Sequence, residues 1–549
     1  MYFTWQKIIK RFLVTSLFVG LGLNFSLAQP SHSPATTTDS LAQALAKASE
    51  AFEHNDYKIS KMLVQKILTA EPRNIAAHTL LGVIADREND LPSAEKYFSA
   101  AAKLAPNLPE TRNNYGAILL KLNRKTEAGR EFAAALTANP NQLSALVNLA
   151  QIRFAENNLI EARRLFERAK QITPDLEILR ALVAVSLGLN ETEQARKEFS
   201  DYVAARTSIV GLPNAVANNA VKSETGLGES LLSHGLLDEA TQEFGFIIAS
   251  EPQNVSAIIS LAKTYCERKD IRTAGKILES AVFSGIDDSR VYAALAETYE
   301  MGGYIENAVP AMRLAIERDP KNEFFQARYG LLLIDAKAPA AAVIRLKEAV
   351  AEMPNSARLW LALGIAQLTQ GRMAGDAQRS FEQSLKLEPK SIPALAYLGT
   401  IYTDAANYAV AATFYERGLK IEETNALLHY LLADTLLKIP GSDQDLIEKH
   451  LQRAVLLDAK LAPAHFALGK FYARLERWPQ AAAEFKQAVA FAPDLAEAHY
   501  QLGRALVRLK RPEEAKPEFE LYKKLNDTQT AQNEIDRQKL VRRLANVRF

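Results

Sequence analysis

A bulky apolar residue followed directly by glycine or alanine recurs along most of this chain at a fixed phase. The pairs are Leu81-Gly82, Tyr115-Gly116, Leu149-Ala150, Leu227-Gly228, Leu261-Ala262, Leu295-Ala296, Tyr329-Gly330 and Leu363-Gly364. Apart from one wide interval in the middle, successive pairs keep the same spacing as Gly82 and Gly116. Because the small residue returns at one phase, the pattern predicts one supersecondary unit repeated many times. The spacing equals the length of a two-helix repeat, roughly 34 residues.

Three further positions keep the same phase. An alanine such as Ala94 follows the small residue by twelve positions, a bulky apolar residue such as Phe98 follows that alanine by four, and proline closes many repeats. Small side chains let two antiparallel helices approach closely. We therefore expect the glycine or alanine of the first helix to face the alanine of the second, with the large side chain filling the space beside the crossing. Proline ends the second helix because it has no N–H and disfavours helical geometry in the preceding residue.

Between the two helices the sequence has residue types that accept the left-handed backbone conformation at a helix end. These are Asn89-Asp90, Asn123, Asn157-Asn158, His234-Gly235, Gly302-Gly303 and Asn407. Each repeat is therefore predicted to be a helix, a tight turn and a second helix.

With these positions the chain resembles the tetratricopeptide repeat family. Residues 357–389 have Trp360, Leu363, Gly364, Ala377, Phe381 and Pro389 where the family has its aromatic, Leu-Gly, Ala, Phe and Pro residues. The resemblance implies an all-α fold, a right-handed superhelical solenoid of about 14 helix-turn-helix repeats. First helices are expected to begin near Leu41, Ile75, Pro109, Leu143, Leu176, Val221, Val255, Ser289, Glu323, Ala357, Ile392, Ala426, Ala462 and Ala496.

The repeats define the expected segments of the chain. The predicted order is a signal peptide (1–28), a polar linker (29–40), an N-terminal array of five repeats (41–204), an irregular insert (205–220), a C-terminal array of nine repeats (221–527) and a basic capping helix (528–549). The insert is either a seam between two arms or a long loop on a continuous solenoid, and we favour the second because helix pairs resume directly after it. The basic C-terminal segment is alternatively a tail for an acidic partner.

The segment 1–28 has the layout of a secretory signal peptide. Lys7, Lys10 and Arg11 precede an apolar run, and small residues end it at Ser26 and Ala28. We therefore expect an exported protein that is periplasmic or secreted. The alternative is an uncleaved segment, residues 12–28, that anchors the chain to the cytoplasmic membrane.

Composition narrows the chemistry. The chain has one cysteine, Cys266, which excludes an internal disulfide and a cysteine metal cluster. Its formal net charge is +2, which does not favour nucleic acid as a partner. The sequence has no glycine-rich phosphate loop, no Gly-x-Ser-x-Gly elbow and no His-Glu-x-x-His pair, so we expect neither an enzyme nor a cofactor. Four histidines share the fourth position of a first helix and are interpreted as packing residues, namely His78, His429, His465 and His499.

In tetratricopeptide solenoids the first helix of each repeat lines the concave surface, so the resemblance implies ligand-binding residues there. In the last two repeats this geometry selects Phe466, Lys470, Arg474, Tyr500, Arg504 and Arg508. The cations within each repeat are four positions apart and share one helical face. Guanidinium groups so placed suit carboxylates or phosphates, which they bind in bidentate fashion. The alternative is a solvated basic face balanced by Glu476 and Glu497.

Two other parts of the same surface are candidates. Asn114 and Asn148 lie at one phase of successive repeats, and the resemblance to the repeat arm of protein O-GlcNAc transferases implies that they bind the backbone of an extended peptide. Alternatively, the two asparagines bond the adjacent turn.

A group of apolar residues follows on the first helices of two later repeats and indicates either a partner site or a surface that the superhelix buries. The group consists of Phe324, Leu331, Ile334, Leu361, Ile365 and Leu368.

These features predict a protein-binding or peptide-binding scaffold outside the cytoplasmic membrane, an assembly or adaptor factor for an envelope or secretion complex. Its partners would be other proteins or extended peptides, including acidic segments. The alternative is a soluble component of an exopolysaccharide synthesis or export system, with polysaccharide as the ligand. An enzyme is the third and least favoured interpretation.

Overall fold

The helical periodicity is realised along the whole described chain. The computed structural model describes residues 37–210, 225–371 and 374–526, and within these ranges it has 28 helices. The first helices of successive repeats are α1 (Thr37–Glu53), α3 (Ile75–Arg87), α5 (Pro109–Lys121), α7 (Leu143–Ala155), α9 (Leu176–Gly188), α11 (Gly226–Ser233), α13 (Val255–Glu267), α15 (Ser289–Met301), α17 (Glu323–Asp335), α19 (Ala357–Thr369), α21 (Ile392–Asp404), α23 (Ala426–Leu436), α25 (Ala462–Arg474) and α27 (Ala496–Arg508).

The second helices alternate with the first. They are α2 (Tyr57–Ala70), α4 (Leu91–Leu104), α6 (Lys125–Ala138), α8 (Leu159–Ile172), α10 (Thr192–Val210), α12 (Leu237–Ser250), α14 (Ile271–Phe283), α16 (Ile305–Arg318), α18 (Pro339–Glu352), α20 (Ala374–Leu387), α22 (Tyr408–Ile421), α24 (Gln444–Leu457), α26 (Trp478–Phe491) and α28 (Pro512–Asn526). The described chain therefore has 14 helix pairs, the number that the sequence predicts.

Helix starts agree closely with the repeat phase. Twelve of the fourteen first helices begin at the predicted residue. The exceptions are α1, which begins at Thr37 inside the predicted linker, and α11, which begins at Gly226. The predicted signal peptide, residues 29–36 of the linker, residues 211–220 of the insert and the capping helix at 528–549 lie outside the described residues.

Contacts divide the chain into two compact halves, Met1–Ile277 and Leu278–Phe549, with the division inside α14. Within each half first helices pack on their own second helices, as α3 does on α4, and second helices pack on the next first helix, as α4 does on α5. First helices of neighbouring repeats also touch, as α17 and α19 do in the C-terminal half. Each half is therefore a solenoid in which a helix pair buries its apolar faces against its neighbours.

The small residue of the first helix lies directly against the large ring of the second. A β-carbon at Gly364 would lie 2.5 Å from a ring carbon of Phe381, and one at Gly399 would lie 2.5 Å from a ring carbon of Tyr415. We expected the ring beside the helix crossing, but it contacts the small residue itself. Glycine is used there because real β-carbons do not approach another atom so closely.

The turns between helices contain one left-handed residue each. Asn89, Asn123, Asn157, Gly235 and Gly303 have positive φ angles, as predicted. In the repeat that begins at Ile392 the prediction was wrong by one residue. Ala406 has φ 57°, whereas Asn407 immediately precedes α22 as its N-cap.

A buried ion pair fixes the described part of the predicted insert. Helix α10 continues to Val210, so residues 205–210 are helical. Arg206 on α10 pairs with Glu243 on α12 at 3.0 Å, and each side chain is only 4% exposed. The same guanidinium donates to the hydroxyl of Tyr202 at 2.8 Å and lies 4.7 Å from the ring centre of Phe246. Because α9 also contacts α11 directly, the stack of first helices continues past the insert.

Candidate binding surfaces

The six predicted ligand-binding residues of the last two repeats lie on α25 and α27, which contact each other. We call this set the basic–aromatic stripe: Phe466, Lys470, Arg474, Tyr500, Arg504 and Arg508. The four cations are exposed, and the two aromatic residues are half-buried. The spacing of four positions along each helix places the three members from that helix on one face.

Each aromatic residue of the stripe packs against aromatic rings on the second helix of its own repeat. The ring of Phe466 packs 5.9 Å from Phe485, and the ring of Tyr500 packs 6.0 Å from Phe519 and 5.0 Å from Tyr522, measured between ring centres. These contacts fix the two rings on the core of their repeats. Their outer surfaces therefore remain as rigid supports for the cations one helical turn further on.

Cations of the stripe lie over aromatic rings. The ammonium of Lys470 is 5.2 Å from the ring centre of Phe466, and the guanidinium of Arg504 is 5.8 Å from that of Tyr500. Both pairs are within the range of cation–π attraction, which is about 0.5–1 kcal/mol at exposed sites. Arg504 also donates to the amide oxygen of Gln501 at 3.2 Å. Ring contacts of this kind orient the cations without neutralising them.

Within the described part of the chain, no carboxylate lies within ion-pair distance of Lys470, Arg474, Arg504 or Arg508. Glu497 accepts a hydrogen bond from Gln501, which in turn accepts one from Arg504. Two cations nearby do form ion pairs. Arg477 pairs with Glu448 at 2.9 Å, and Arg511 pairs with Glu514 at 2.6 Å. The four cations of the stripe therefore keep their charge without an ion-pair partner among the described residues.

Sequence reasoning missed one aromatic neighbour of the stripe. Trp478 is the first residue of α26, and the guanidinium of Arg508 lies 5.5 Å from its ring centre. The two residues are thirty positions apart and belong to different repeats. The repeat phase selects first-helix residues only, so it could not reveal this contact.

Asn114 lies on an open cavity in the N-terminal half. The cavity has a volume of about 630 Å³ and is formed mainly by the first helices α1, α3 and α5. Its apolar surface includes Leu45, Phe52, Leu80, Val83 and Leu108. An amide at the edge of such a surface is placed to bond a peptide backbone.

Asn148 differs from Asn114 although the two share a phase. It is buried, and its side-chain amide donates to Asn113 Oδ1 at 3.4 Å. Its geometry suits a residue that positions the neighbouring helix. The structure therefore brings only Asn114 to an open cavity.

Most of the predicted apolar group on the later first helices is buried. Leu331, Ile334, Leu361 and Ile365 are at most 8% exposed and belong to one core cluster of the C-terminal half, and half-buried Leu368 packs against that cluster. Phe324 is also half-buried, and the guanidinium of Arg358 lies 5.5 Å from its ring centre. Since α17 and α19 pack directly on each other, the four buried side chains stabilise the stack of first helices.

Polar residues at the fourth position of a first helix form a recurring hydrogen bond. In seven repeats the side chain bonds the backbone carbonyl six residues earlier, at 2.8–3.1 Å. The residues are His78, Arg112, Gln326, Trp360, His429, His465 and His499. The four histidines, interpreted from sequence as packing residues, thus also fasten each first helix to the turn that precedes it.

Other chemistry is limited in the described ranges. They have no group of three or more side chains that is arranged to hold a metal ion, and Cys266 is buried there. None of the helices in those ranges has both the length and the apolarity to cross a membrane.

The sequence matches two family models that are both described as tetratricopeptide repeat. One matches residues 45–109, 116–177, 328–391 and 450–529, and the other matches residues 289–322, which together exceed half of the chain. This chain belongs to the tetratricopeptide repeat family. The matched segments include the α25–α28 region that carries the basic–aromatic stripe.

Curated tetratricopeptide relatives are similar over parts of their length. Anaphase-promoting complex subunit 3 of Schizosaccharomyces pombe is 23% identical over 35% of this chain and 29% of the relative. The protein CTR9 homolog of Arabidopsis thaliana is 23% identical over 73% of this chain and 34% of the relative. The chain spans about a third of the length of these two proteins.

Some tetratricopeptide relatives are named as transferases. A probable UDP-N-acetylglucosamine–peptide N-acetylglucosaminyltransferase SPINDLY of Hordeum vulgare is 30% identical, but the match covers 20% of this chain and 12% of the relative. Among solved structures, the APC/C hetero-tetramer Cut9-Hcn1 covers 93% of this chain at 15% identity, with a TM-score of 0.39 and 99% of that chain covered. The MamA protein covers 32% of this chain and 97% of its own at 21% identity, with a TM-score of 0.27.

Proposed function

We propose that this protein is a tetratricopeptide scaffold that holds an acidic segment of a partner protein on the basic–aromatic stripe. The observation that carries the proposal is the absence, among described residues, of any carboxylate paired with the four cations of the stripe. Charges that the fold does not neutralise attract an anionic ligand. The two rings supply apolar area beside those charges.

The energetics favour a ligand with several carboxylates. One exposed ion pair contributes about 0.2–1 kcal/mol, so a single carboxylate would be held weakly. Arg474, Arg504 and Arg508 can each engage a carboxylate through two parallel N–H donors. Apolar side chains of the ligand would pack on Phe466 and Tyr500. An extended peptide with acidic and aromatic residues meets all of these requirements at once.

Asn114 is proposed as a second contact, for the backbone of an extended peptide in the N-terminal cavity. The support is its place on that cavity and the ability of an amide to donate and accept together. Asn148 would act through Asn113, as a positioning residue.

We place the scaffold outside the cytoplasmic membrane, as an assembly or adaptor factor for an envelope or secretion complex. The support is the signal-like sequence at residues 1–28, with an uncleaved anchor at residues 12–28 as the alternative arrangement. The name of the anaphase-promoting complex relative, a subunit of a multiprotein complex, is in keeping with a scaffold role.

Selection from a random peptide library tests the proposed ligand class. Residues 29–549 would be presented as wild type, as the Arg504→Glu/Arg508→Glu variant and as a control, Lys386→Glu/Lys420→Glu. The control lysines are exposed on the second helices α20 and α22 and carry the same change of charge. We expect acidic peptides to be enriched on the wild type and the control and to be lost from the stripe variant. Enrichment of the same peptides on all three proteins would overturn the proposal.

A further inference from the structure

Histidines of the last three repeats face a polar partner on the second helix of their own repeat. Each of these histidines, His429, His465 and His499, is at most 7% exposed as a residue. The Nδ1 atoms of His465 and His499 lie 2.7 Å and 2.5 Å from carboxylate oxygens of Glu484 and Glu518, respectively. The equivalent atom of His429 lies 2.7 Å from Nδ1 of His450. In each repeat Nε2 is used by the carbonyl six residues earlier.

These contacts determine where the protons are. A carbonyl oxygen only accepts, so Nε2 of His465 must carry a hydrogen to bond Ala459. A neutral ring would then present a bare Nδ1 to the carboxylate of Glu484, and two acceptors do not form a hydrogen bond. The bond therefore requires one more proton than the neutral ring and the carboxylate carry, and the raised pKa of His465 places that proton on the ring. His499 makes the same two contacts, with the carbonyl of Pro493 and with Glu518.

Arg112 shows the same arrangement with a permanent charge. Its Nε donates to the carbonyl of Pro106, and its Nη1 pairs with Glu131 at 2.8 Å, nineteen residues further on. His465 and Glu484 have the same separation in sequence. Protonated His465 thus takes the place of arginine in its repeat.

The His429–His450 pair is weakened by full protonation, whereas the His465–Glu484 pair needs an added proton. Nε2 of His429 donates to the carbonyl of Glu423 at 2.9 Å, so its neutral ring has a bare Nδ1. His450 must then donate from its own Nδ1 to make the contact. His450 can bind one additional proton on Nε2 without losing this contact. The next proton would have to bind Nδ1 of His429. It would remove the acceptor of the Nδ1–Nδ1 hydrogen bond and place two cationic rings in contact.

We propose that the His429–His450 and His465–Glu484 pairs make two neighbouring repeats respond to pH in opposite directions, so that acid loosens the helix pair α23–α24 and strengthens the helix pair α25–α26. Phe466 directly follows His465 in sequence. The pH response therefore acts on a helix that carries half of the basic–aromatic stripe. It rests on the histidine geometry alone and stands whether or not the stripe binds an acidic segment.

The surrounding charges agree with the opposite responses. Burial and the nearby charges of His429 and Lys449 together lower the pKa of His450 to about 4, with burial as the largest influence. Burial also lowers the pKa of His429, an effect that Arg453 reinforces and that the carbonyl and charge of Glu423 oppose. At His465 burial is again the largest influence and favours the neutral ring. The bond to Glu484, the bond to the Ala459 carbonyl and the charges of Glu484 and Asp458 outweigh it and raise the pKa.

The sign follows from proton linkage. Stability from the His429–His450 pair is fully present above the unfolded histidine pKa of about 6.5 and is lost as the pH falls toward about 4. Stability from the His465–Glu484 pair is fully present below about 6.5 and is lost as the pH rises through the raised pKa. Between pH 7 and pH 5 the opening constant of α23–α24 should rise by on the order of tenfold.

Hydrogen exchange with mass spectrometry on the full chain tests the proposal, with labelling times scaled for the chemical exchange rate at each pH. Lowering the pH from 7.5 to 5 should deprotect peptides from α23–α24 and increase protection in α25–α26. Unchanged protection in both segments, or a change of the same sign in both, would overturn it.

Two conservative variants separate the pH response from simple packing. In Glu484→Gln the new amide can donate to a neutral His465, which should abolish the acid-induced protection of α25–α26 and move the NMR titration of that ring to lower pH. In His450→Gln the amide can donate to His429, which should reduce the acid-induced opening of α23–α24. Retention of the wild-type pH response by both variants would contradict the proposal even if both are fully folded.

Discussion

Gly228 lies against the ring of Phe244, and a β-carbon on it would be 2.5 Å from ring atom Cε1. The ring cannot move aside easily because Phe244 is fully buried. We therefore expect Gly228→Ala to lower the free energy of unfolding by about 1–3 kcal/mol, the usual range for overpacking a core. Urea denaturation followed by circular dichroism measures the change.

A glycine one residue after that ring provides the matched control. Gly245 is also helical, in α12, but a β-carbon on it would meet no atom within 4 Å. Gly245→Ala should raise the free energy of unfolding by about 0.5–1 kcal/mol, because alanine loses less backbone entropy in a helix. If both substitutions destabilise the protein equally, the close contact with the Phe244 ring is not the reason why position 228 has glycine.

Ala406 should be a point of stored backbone strain. It has φ 57°, a conformation that costs a residue with a β-carbon about 1–2 kcal/mol. Since the residue is exposed, Ala406→Gly should stabilise the protein by about 1 kcal/mol, measurable as a higher urea midpoint. Asn123→Gly at the equivalent turn should change stability much less, because asparagine tolerates this conformation. Equal effects at the two turns would refute this account of Ala406.

Breaking the Arg206–Glu243 pair should be costly. Arg206→Met leaves the carboxylate of Glu243 buried without its partner, in a place where burial already raises its pKa. We expect a loss of about 3–5 kcal/mol in urea denaturation. The double variant Arg206→Met/Glu243→Met should recover most of that loss, because no charge is then left unpaired. A double variant as unstable as Arg206→Met would show that packing, and not charge, fastens α10 to α12.

The sequence predicts this fold well because the same pattern of small and bulky residues recurs at the same positions in repeat after repeat. The constant spacing of the small residues located twelve helix starts correctly, including Ile75 and Ala496. The left-handed residue was missed at Ala406 because alanine carries no local signal for that conformation. The extension of α10 to Val210 was missed because the repeat phase is lost beyond residue 204.

The binding surface was only partly accessible from the sequence. The helical phase selected Lys470, Arg504 and the other members of the stripe, but their charge balance depends on distances that only the structure supplies. The contact of Arg508 with Trp478 joins different repeats, and no periodicity encodes it. His465 was interpreted as a packing residue because its partner, Glu484, lies nineteen positions away on another helix.

Affinity capture from the envelope extract of the source cell tests the central claim most directly, with mass spectrometry on what is retained. The baits are residues 29–549 as wild type, as the Arg504→Glu/Arg508→Glu variant and as the Lys386→Glu/Lys420→Glu control. The scaffold account predicts proteins with acidic segments that the wild type and the control retain and that the stripe variant loses. An identical set of proteins on all three baits would contradict it.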